Sequence, residues 1–229
     1  MKRRDVPGAK KRDYWWTVLF TDPIAIPLVR FLARHRILSP DQVSLLAAFL
    51  GLSVGPVLAL GSRASFVFGG ILFQLAFIVD CVDGKLARAL AMTSDRGAAL
   101  DVLGDSVRRA SASLGLVVGL WRTDGVAASF WWATVYVVVA YFFIELSGGS
   151  EVRQEAWFKR EQPVSEAIEP RWWTATLARR RLLPTPGMPD VQALVFVVGP
   201  ITTLVMPALI LGSAMVATGA LIGIRRKLR

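Results

Sequence analysis

Apolar residues fall in long blocks along the chain, divided by short charged turns, and do not form the narrow amphipathic stripes of a soluble helix bundle. Uncharged runs extend from Gln42 to Ser62 and from Gly125 to Ile144. Each is about the 20 residues that a ~30 Å hydrocarbon layer requires at 1.5 Å per residue. A third run, Ala64 to Val79, ends at Asp80, and a fourth, Ala110 to Trp121, extends inward from an acidic region beginning at Asp101. The last run, Val191 to Ile224, has 34 residues. That is about 50 Å of helix, too long for one straight crossing. Pro200 and Pro207 lie inside it, so the pattern predicts two short helices that break near Val205 to Ala208. The sequence thus predicts an all-α integral membrane protein, a six-transmembrane-helix bundle, with five spans as the alternative.

Ahead of the first span, TDPIAIPLVRFLARHRI places Arg30 and Arg34 one turn apart beside Leu28, Phe31 and Leu32. This predicts an N-terminal interfacial amphipathic helix opening at Asp22-Pro23, its apolar face in lipid and its arginines near phosphates. A solvated linker helix is the alternative, and Trp15 and Trp16 support the interfacial reading. Ser39-Pro40-Asp41-Gln42 has the form of a capping box with proline at the first helical position, so the first span begins there. Pro56 is expected to kink that span. Residues 1–38 therefore read as a basic cytoplasmic tail plus interfacial helix, and 39–229 as the six-helix membrane domain. Its longest connection, 148–190, is polar, carries Trp157, Trp172 and Trp173, and is expected to hold an interfacial helix.

Charge fixes the expected orientation. The chain carries net charge +10. Nine Lys and Arg precede Gln42, three lie between Lys85 and Arg96, seven between Gly148 and Asp190, and four follow Ile224. With six spans these segments share one side, while the two turns carrying only Arg63 and Arg122 face the other. By the positive-inside rule both termini are cytoplasmic, which predicts a multi-pass protein of a cytoplasmic (inner) membrane. Compact size and the lack of a secretory signal agree with a prokaryotic setting. Topology and anionic lipid account for the basic excess, so no nucleic-acid partner is expected. One cysteine, Cys81, and one histidine, His35, exclude a disulfide framework and a Cys/His zinc site within one chain. Any metal here is held by oxygen.

The second span ends in VDCVDGKLARAL, Val79 to Leu90. Ionised groups at membrane depth cost roughly 2.5–3.5 kcal/mol each and are usually functional. At 100° per residue Asp80, Asp83, Gly84, Ala87 and Arg88 fall within an arc of about 140°. Gly97, Asp101 and Asp105 form a second stripe at i, i+4 and i+8 on the third span. A short connection makes the two stripes neighbours. Four carboxylates so gathered repel one another unless a cation joins them. An all-oxygen donor set selects Mg2+ or Mn2+, with Ca2+ as a further option, and four aspartates can hold two ions ~4 Å apart. Gly84, Ala87 and Gly97 either leave room for a bulky ligand or serve helix packing. Beside the acids and the phosphate-binding fork of Arg88, the ligand reading is preferred.

Asp80-x-x-Asp83-Gly84-x-x-Ala87-Arg88, eight residues, Gly97-x-x-x-Asp101-x-x-x-Asp105 resembles the complete signature of the CDP-alcohol phosphotransferases, integral membrane enzymes of phospholipid and related biosynthesis. The resemblance implies transfer of a substituted phosphate, phosphatidyl or phospho-polyol, from a CDP-alcohol to an acceptor alcohol with release of CMP. It implies that Asp80, Asp83, Asp101 and Asp105 hold Mg2+ or Mn2+ and that Asp105 is the general base. Asp80, Gly84, Ala87, Arg88 and Gly97 would bind the nucleotide. The implied partners are a donor of the CDP-diacylglycerol or CDP-inositol type, an alcohol or polyol-phosphate acceptor, membrane lipid and a second copy in a homodimer. Two features depart from the pattern. Where many members have Pro-Asn followed by a threonine, Pro40 is followed by Asp41, Gln42, Val43 and Ser44. The region after the fourth span also lacks a Tyr-x-x-Ala-Arg-Ala-Glu type segment and resembles more loosely the inositol-phosphate subgroup.

Arg108 and Arg109 either bind an acceptor phosphate or neutralise the acids and fix helix contacts, since an intramembrane arginine needs a partner in both cases. Gln74 is read as structural. A cation transporter would use the same aspartates, but the far ends of these spans, FVFGGILF and ASLGLVVGL, are apolar. An inactive scaffold is disfavoured by the complete acid set.

Overall fold

The computed structural model describes residues 10, 12–125, 127–146, 176–177 and 179–227. Most of the expected basic tail, and the part of the 148–190 connection up to residue 175, with Trp157, Trp172 and Trp173, lie outside the described residues, so the interfacial helix expected there does too. The described part is helical. A π-helical turn, Thr17–Thr21, runs into α1 (Asp22–His35), followed by α2 (Pro40–Leu58), α3 (Arg63–Ala89), α4 (Asp95–Asp124) and α5 (Ala128–Leu146). After the 148–175 region come α6 (Met188–Thr202), which contains a π-helical turn at Leu194–Val198, and α7 (Val205–Lys227).

Three helices, Pro40–Leu58, Arg63–Ala89 and Val205–Ile222, are long and apolar enough to cross a membrane. Ala128–Ile144 and Met188–Thr202 are apolar and shorter. Large apolar side chains point outward along this set, among them Phe49, Phe68, Phe142 and Leu221, each more than half exposed. So much exposed apolar surface belongs in lipid, not water. The chain is a membrane protein.

Local sequence explains the helix boundaries. At α2 the Ser39 hydroxyl accepts from the Gln42 N–H at 3.3 Å, and the Ser39 N–H donates to Gln42 Oε1 at 2.9 Å, which is the capping box expected there. Ser62 and Ser65 exchange the same pair of bonds at the start of α3. The last apolar run breaks at Thr203–Leu204, just before the expected Val205–Ala208. Thr203 adopts a left-handed conformation (φ 61°) and ends α6. Pro207 then falls in the first turn of α7, where its missing N–H removes no helical bond.

α2 packs chiefly on α4 and α3. Glycines set that closeness: a Cβ on Gly115 would overlap the Gly55 carbonyl, and one on Gly55 would overlap the Ser111 carbonyl. The main core, containing Leu58, Phe73, Leu116, Tyr136, Phe196 and Leu209, joins α2–α7. A second cluster, Ala25, Val29, Leu32, Val43, Val82 and Leu86, seats α1 against α3 and the start of α2. The opposite side of α1 exposes Ile24, Leu28 and Phe31 beside Arg30 and Arg34.

Candidate active site

The polar end of α3 carries the site, and the turn after it sets the geometry. α3 ends with Ala91 left-handed (φ 54°), the Met92 N–H donating to the Ala87 carbonyl at 2.8 Å and the Ala91 N–H to the Arg88 carbonyl at 3.4 Å. These are the two bonds of a Schellman ending. The chain then turns sharply into α4, whose start is capped by Ser94 accepting from the Gly97 N–H at 3.0 Å. The two acidic stripes consequently face each other.

One carboxylate oxygen each from Asp80, Asp83 and Asp101 lies within 4.8 Å of the others. Three carboxylates at that separation, with no cysteine or histidine in the group among the described residues, suit a hard divalent cation. Asp83 is 3% exposed, and its Oδ2 accepts from the Ser44 hydroxyl at 2.5 Å. Its other oxygen accepts from the Gly84 N–H. Ser44 sits near the position where many members of the resembling family carry a threonine, and sequence reading did not assign it this partner.

Asp105 is not one of that trio. It pairs with Arg108, and its Oδ2 lies 3.6 Å from Arg109 Nη1. Arg108 also reaches Asp80, at 3.1 Å between Nη1 and Oδ2. At 1% exposure its guanidinium sits 5.7 Å from the Phe73 ring centroid and 5.1 Å from that of Phe77. Arg109 also donates to the Ser106 hydroxyl at 3.3 Å. Both arginines are therefore engaged with the acidic cluster.

Two cavities meet at Gly84, Arg88 and Asp101. The larger, about 180 Å³, is framed by Asp41, Ser44, Asp83, Ala87, Ser94 and Gly97. A Cβ on Gly84 would meet only the Arg88 guanidinium, at 3.4 Å, and one on Gly97 only side-chain oxygens, of Ser94 and Asp41. These two glycines open onto space, unlike Gly55 and Gly115. Every residue expected to bind nucleotide except Asp80 lines this cavity, and Asp80 lines the other. Asp41 joins the wall unforeseen, with Arg96 at 3.8 Å.

The smaller cavity, about 110 Å³, is walled by Lys10, Asp13, Tyr14 and Thr17 of the N-terminal segment, by Lys85 of α3 and by Pro189. A clasp with the 181–190 segment holds this wall. The Asp13 N–H donates to the Arg181 carbonyl at 2.8 Å, the Leu183 N–H to the Asp13 carbonyl at 3.0 Å and the Trp15 indole to the Leu183 carbonyl at 2.7 Å. The Trp16 N–H donates to Asp190 Oδ1 at 2.6 Å, and its indole to Gln74 Oε1 at 2.8 Å. Buried Asp22 takes Lys85 at 3.2 Å and Arg181 at 3.0 Å. Burial holds the Asp13 carboxyl above its usual range, against the pull of Lys10.

A sequence model of the family described as CDP-alcohol phosphatidyltransferase matches residues 37–224. The chain is 43% identical over 93 residues to a bifunctional IPC transferase and DIPP synthase of Rubrobacter xylanophilus, covering 41% of this chain and 21% of that protein. It is 37% identical over 106 residues to a phosphatidylinositol phosphate synthase of Streptomyces avermitilis, covering 46% and 41%. A CDP-diacylglycerol–glycerol-3-phosphate 3-phosphatidyltransferase of Mycoplasma genitalium matches at 34% over 98 residues, covering 43% and 38%. Each match thus spans less than half of the relative's length. The fold is similar to the crystal structure of Mycobacterium tuberculosis phosphatidylinositol phosphate synthase with CDP-DAG bound, at a TM-score of 0.59 and 18% identity, over 90% of this chain and 92% of that one.

Proposed function

The chain belongs to the CDP-alcohol phosphatidyltransferase family, and from that premise we propose that it transfers a substituted phosphate from a CDP-alcohol to an acceptor alcohol and releases CMP. The observation that carries this reading is the trio Asp80, Asp83 and Asp101 at two adjoining cavities, Asp80 lining one, Asp83 the other and Asp101 both. A reaction between two substrates needs such a junction. The nucleotide occupies the larger cavity, with backbone access at Gly84 and Gly97, room at Ala87 and the Arg88 fork on phosphate. The acceptor oxygen attacks the phosphorus that bears the donor's alcohol, the bond from that phosphorus to the CMP oxygen breaks, and Asp105 accepts the acceptor's proton.

Asp80, Asp83 and Asp101 would hold Mg2+ or Mn2+, with Asp105 beside a second ion. Bound there, the metal supplies charge neutralisation on the pyrophosphate. Arg108 and Arg109 are read as the neutralising pair of the two roles open to them: Arg108 fixes the directions of Asp80 and Asp105, and Arg109 adds to the field at Asp105. Ser44 holds Asp83 in place.

The same reading places six spans in a cytoplasmic membrane, with both termini and the site on the cytoplasmic side. α1 lies along that surface, its exposed Ile24, Leu28 and Phe31 in lipid. The working unit is a homodimer. The test is CMP release by the protein in nanodiscs with CDP-diacylglycerol or CDP-inositol and a panel of polyols, polyol phosphates and amino alcohols. Metal-dependent CMP formation that needs one acceptor supports the transferase. Metal flux into vesicles without CDP-alcohol, and no CMP, would support a cation pathway instead.

A further inference from the structure

We propose that the groove between α5, the start of α6 and α7 holds one acyl chain of an anionic phospholipid, with the lipid phosphate at Arg225, as a resident lipid distinct from either substrate. The inference rests on the membrane placement of the chain and stands apart from the transferase reading. The groove encloses about 400 Å³ and shares no lining residue with the two cavities that touch the aspartates. Phe143 of α5, Met188 and Val191 of α6 and Leu211, Met215 and Ile222 of α7 form its walls. From Leu211 to Ile222 the helix rises about 16 Å, half of a ~30 Å hydrocarbon layer. The groove therefore has the length of one leaflet.

The walls suit an apolar chain. The Thr218 hydroxyl donates to the Ala214 carbonyl at 2.8 Å, so its polar atom is engaged within α7. Leaving such a groove empty forfeits the dispersion contacts of its lining. A chain seated in it touches three helices, where a lipid on a flat face touches one, and is held longer than the surrounding bilayer lipid.

One end of the groove is polar and basic. Leu211, Met215, Thr218 and Ile222 follow one stripe of α7, and the next position on that stripe, one turn beyond Ile222, is the exposed Arg225. Close approaches of Gly199 to Ala208 and of Gly212 to Val195 set α6 and α7 antiparallel, so α6 begins at the end of the bundle where α7 finishes. Thr185, exposed just ahead of α6, lines the groove at that end. Of the nearby acids, Asp190 accepts from the Trp16 and Gly187 N–H groups, and Glu145 falls about 200° round α5 from Phe143. The mouth thus presents a cation and a hydroxyl to a lipid phosphate. Gly187 lines the groove from a segment packed on Tyr14, whose ring a Cβ at Gly187 would overlap. A lipid in the groove therefore backs the wall of the smaller cavity.

The experiment uses the full chain, delipidated in detergent and titrated with phosphatidylglycerol or phosphatidylcholine of the same acyl chains, with bound lipid counted by native mass spectrometry. Gly219→Leu and Ala214→Phe fill the groove. A Cβ at Gly219 meets only the Phe143 ring, at 3.4 Å, an ordinary contact that admits a longer side chain. Wild type is expected to hold one phosphatidylglycerol per protomer, about 5-fold tighter than phosphatidylcholine, the effect of one basic residue near an anionic surface. Both filling variants should weaken phosphatidylglycerol by about 10-fold or more, the loss of roughly two buried methylenes, with melting temperature retained. Arg225→Gln should remove the preference between the two lipids and leave phosphatidylcholine binding unchanged. Undiminished lipid binding in both filling variants overturns the inference, and so does equal affinity of wild type for the two lipids. Displacement by CDP-diacylglycerol in preference to phosphatidylglycerol would assign the groove to the donor's tail instead. Loss of the dimer in the filling variants at an unchanged lipid count would assign it to a second copy.

Discussion

Arg108→Met removes the guanidinium that joins the two acidic stripes. Arg108 lies 3.1 Å from Asp80 and against Asp105, with side-chain exposures of 1%, 11% and 5% for the three groups. Deleting one partner of a buried pair typically costs ~3–5 kcal/mol, because the remaining charge is left uncompensated. Asp80 keeps some access to water and Asp105 keeps Arg109, so about 3 kcal/mol is expected, the lower end of that range. For a chain of this size each kcal/mol moves the melting temperature by ~2–4 °C, a fall of ~6–12 °C in all. Methionine retains most of the bulk between Phe73 and Phe77, which limits the contribution of a cavity. Divalent metal on Asp80 restores part of the lost positive charge, so the fall is larger in EDTA than in Mg2+. Arg108→Lys retains the charge without a fork able to reach two carboxylates and should fall between Met and wild type. The assay is tryptophan-monitored unfolding in detergent, with and without Mg2+. Equal melting of wild type and Arg108→Met in EDTA would refute the counter-charge argument. A loss of the same size in both conditions would show that packing, not charge, sets the cost.

Three further outcomes follow from the geometry. Ser44→Ala removes the 2.5 Å bond to Asp83 and should raise the Mg2+ concentration for half-maximal CMP release by about 10-fold, read from a metal titration at saturating donor. Gly115→Ala drives a methyl group into the Gly55 carbonyl; a loss of ~1–3 kcal/mol is expected from overpacking, and unchanged melting would mean that α2 and α4 separate without cost. Ala91→Gly places glycine at the left-handed position that ends α3 and should stabilise by ~0.5–1 kcal/mol, seen as a rise of a few degrees in melting temperature.

Local and periodic features of the site were legible in the sequence. The Ser39–Gln42 box, the helix opening at Asp22-Pro23 and the shared face of Asp83, Gly84, Ala87 and Arg88 depend on residues within a turn or two of one another, and a helix fixes such relations in advance. The facing of Asp80 and Asp83 with Asp101 followed because a short connection leaves two helices little choice of neighbour. Pairings across long stretches of chain carry no periodic signal. The Lys85–Asp22–Arg181 group, the Trp16–Gln74 bond and the clasp between the N-terminal segment and residues 181–190 were therefore not foreseen, although Gln74 in an apolar run called for a partner. Rotamer choice was also beyond the pattern. Asp105 shares a stripe with Asp101, yet its carboxylate is drawn to Arg108 and Arg109. The break at Thr203 was placed slightly late because proline was taken as the breaker, whereas a left-handed threonine ends the helix and proline opens the next.

The central claim is that an acceptor hydroxyl is deprotonated at Asp105 and attacks a CDP-alcohol held beside Asp80, Asp83 and Asp101. The most direct test compares wild type and Asp105→Asn in two readouts on the same nanodisc preparation, metal-dependent CMP release and equilibrium binding of a CDP ligand. The account predicts a fall in turnover of ~10²–10⁴, the usual contribution of a general base, with CDP affinity retained. Equal loss of turnover and CDP binding would contradict it by reassigning Asp105 to holding metal and donor, and undiminished turnover would remove Asp105 from the chemistry.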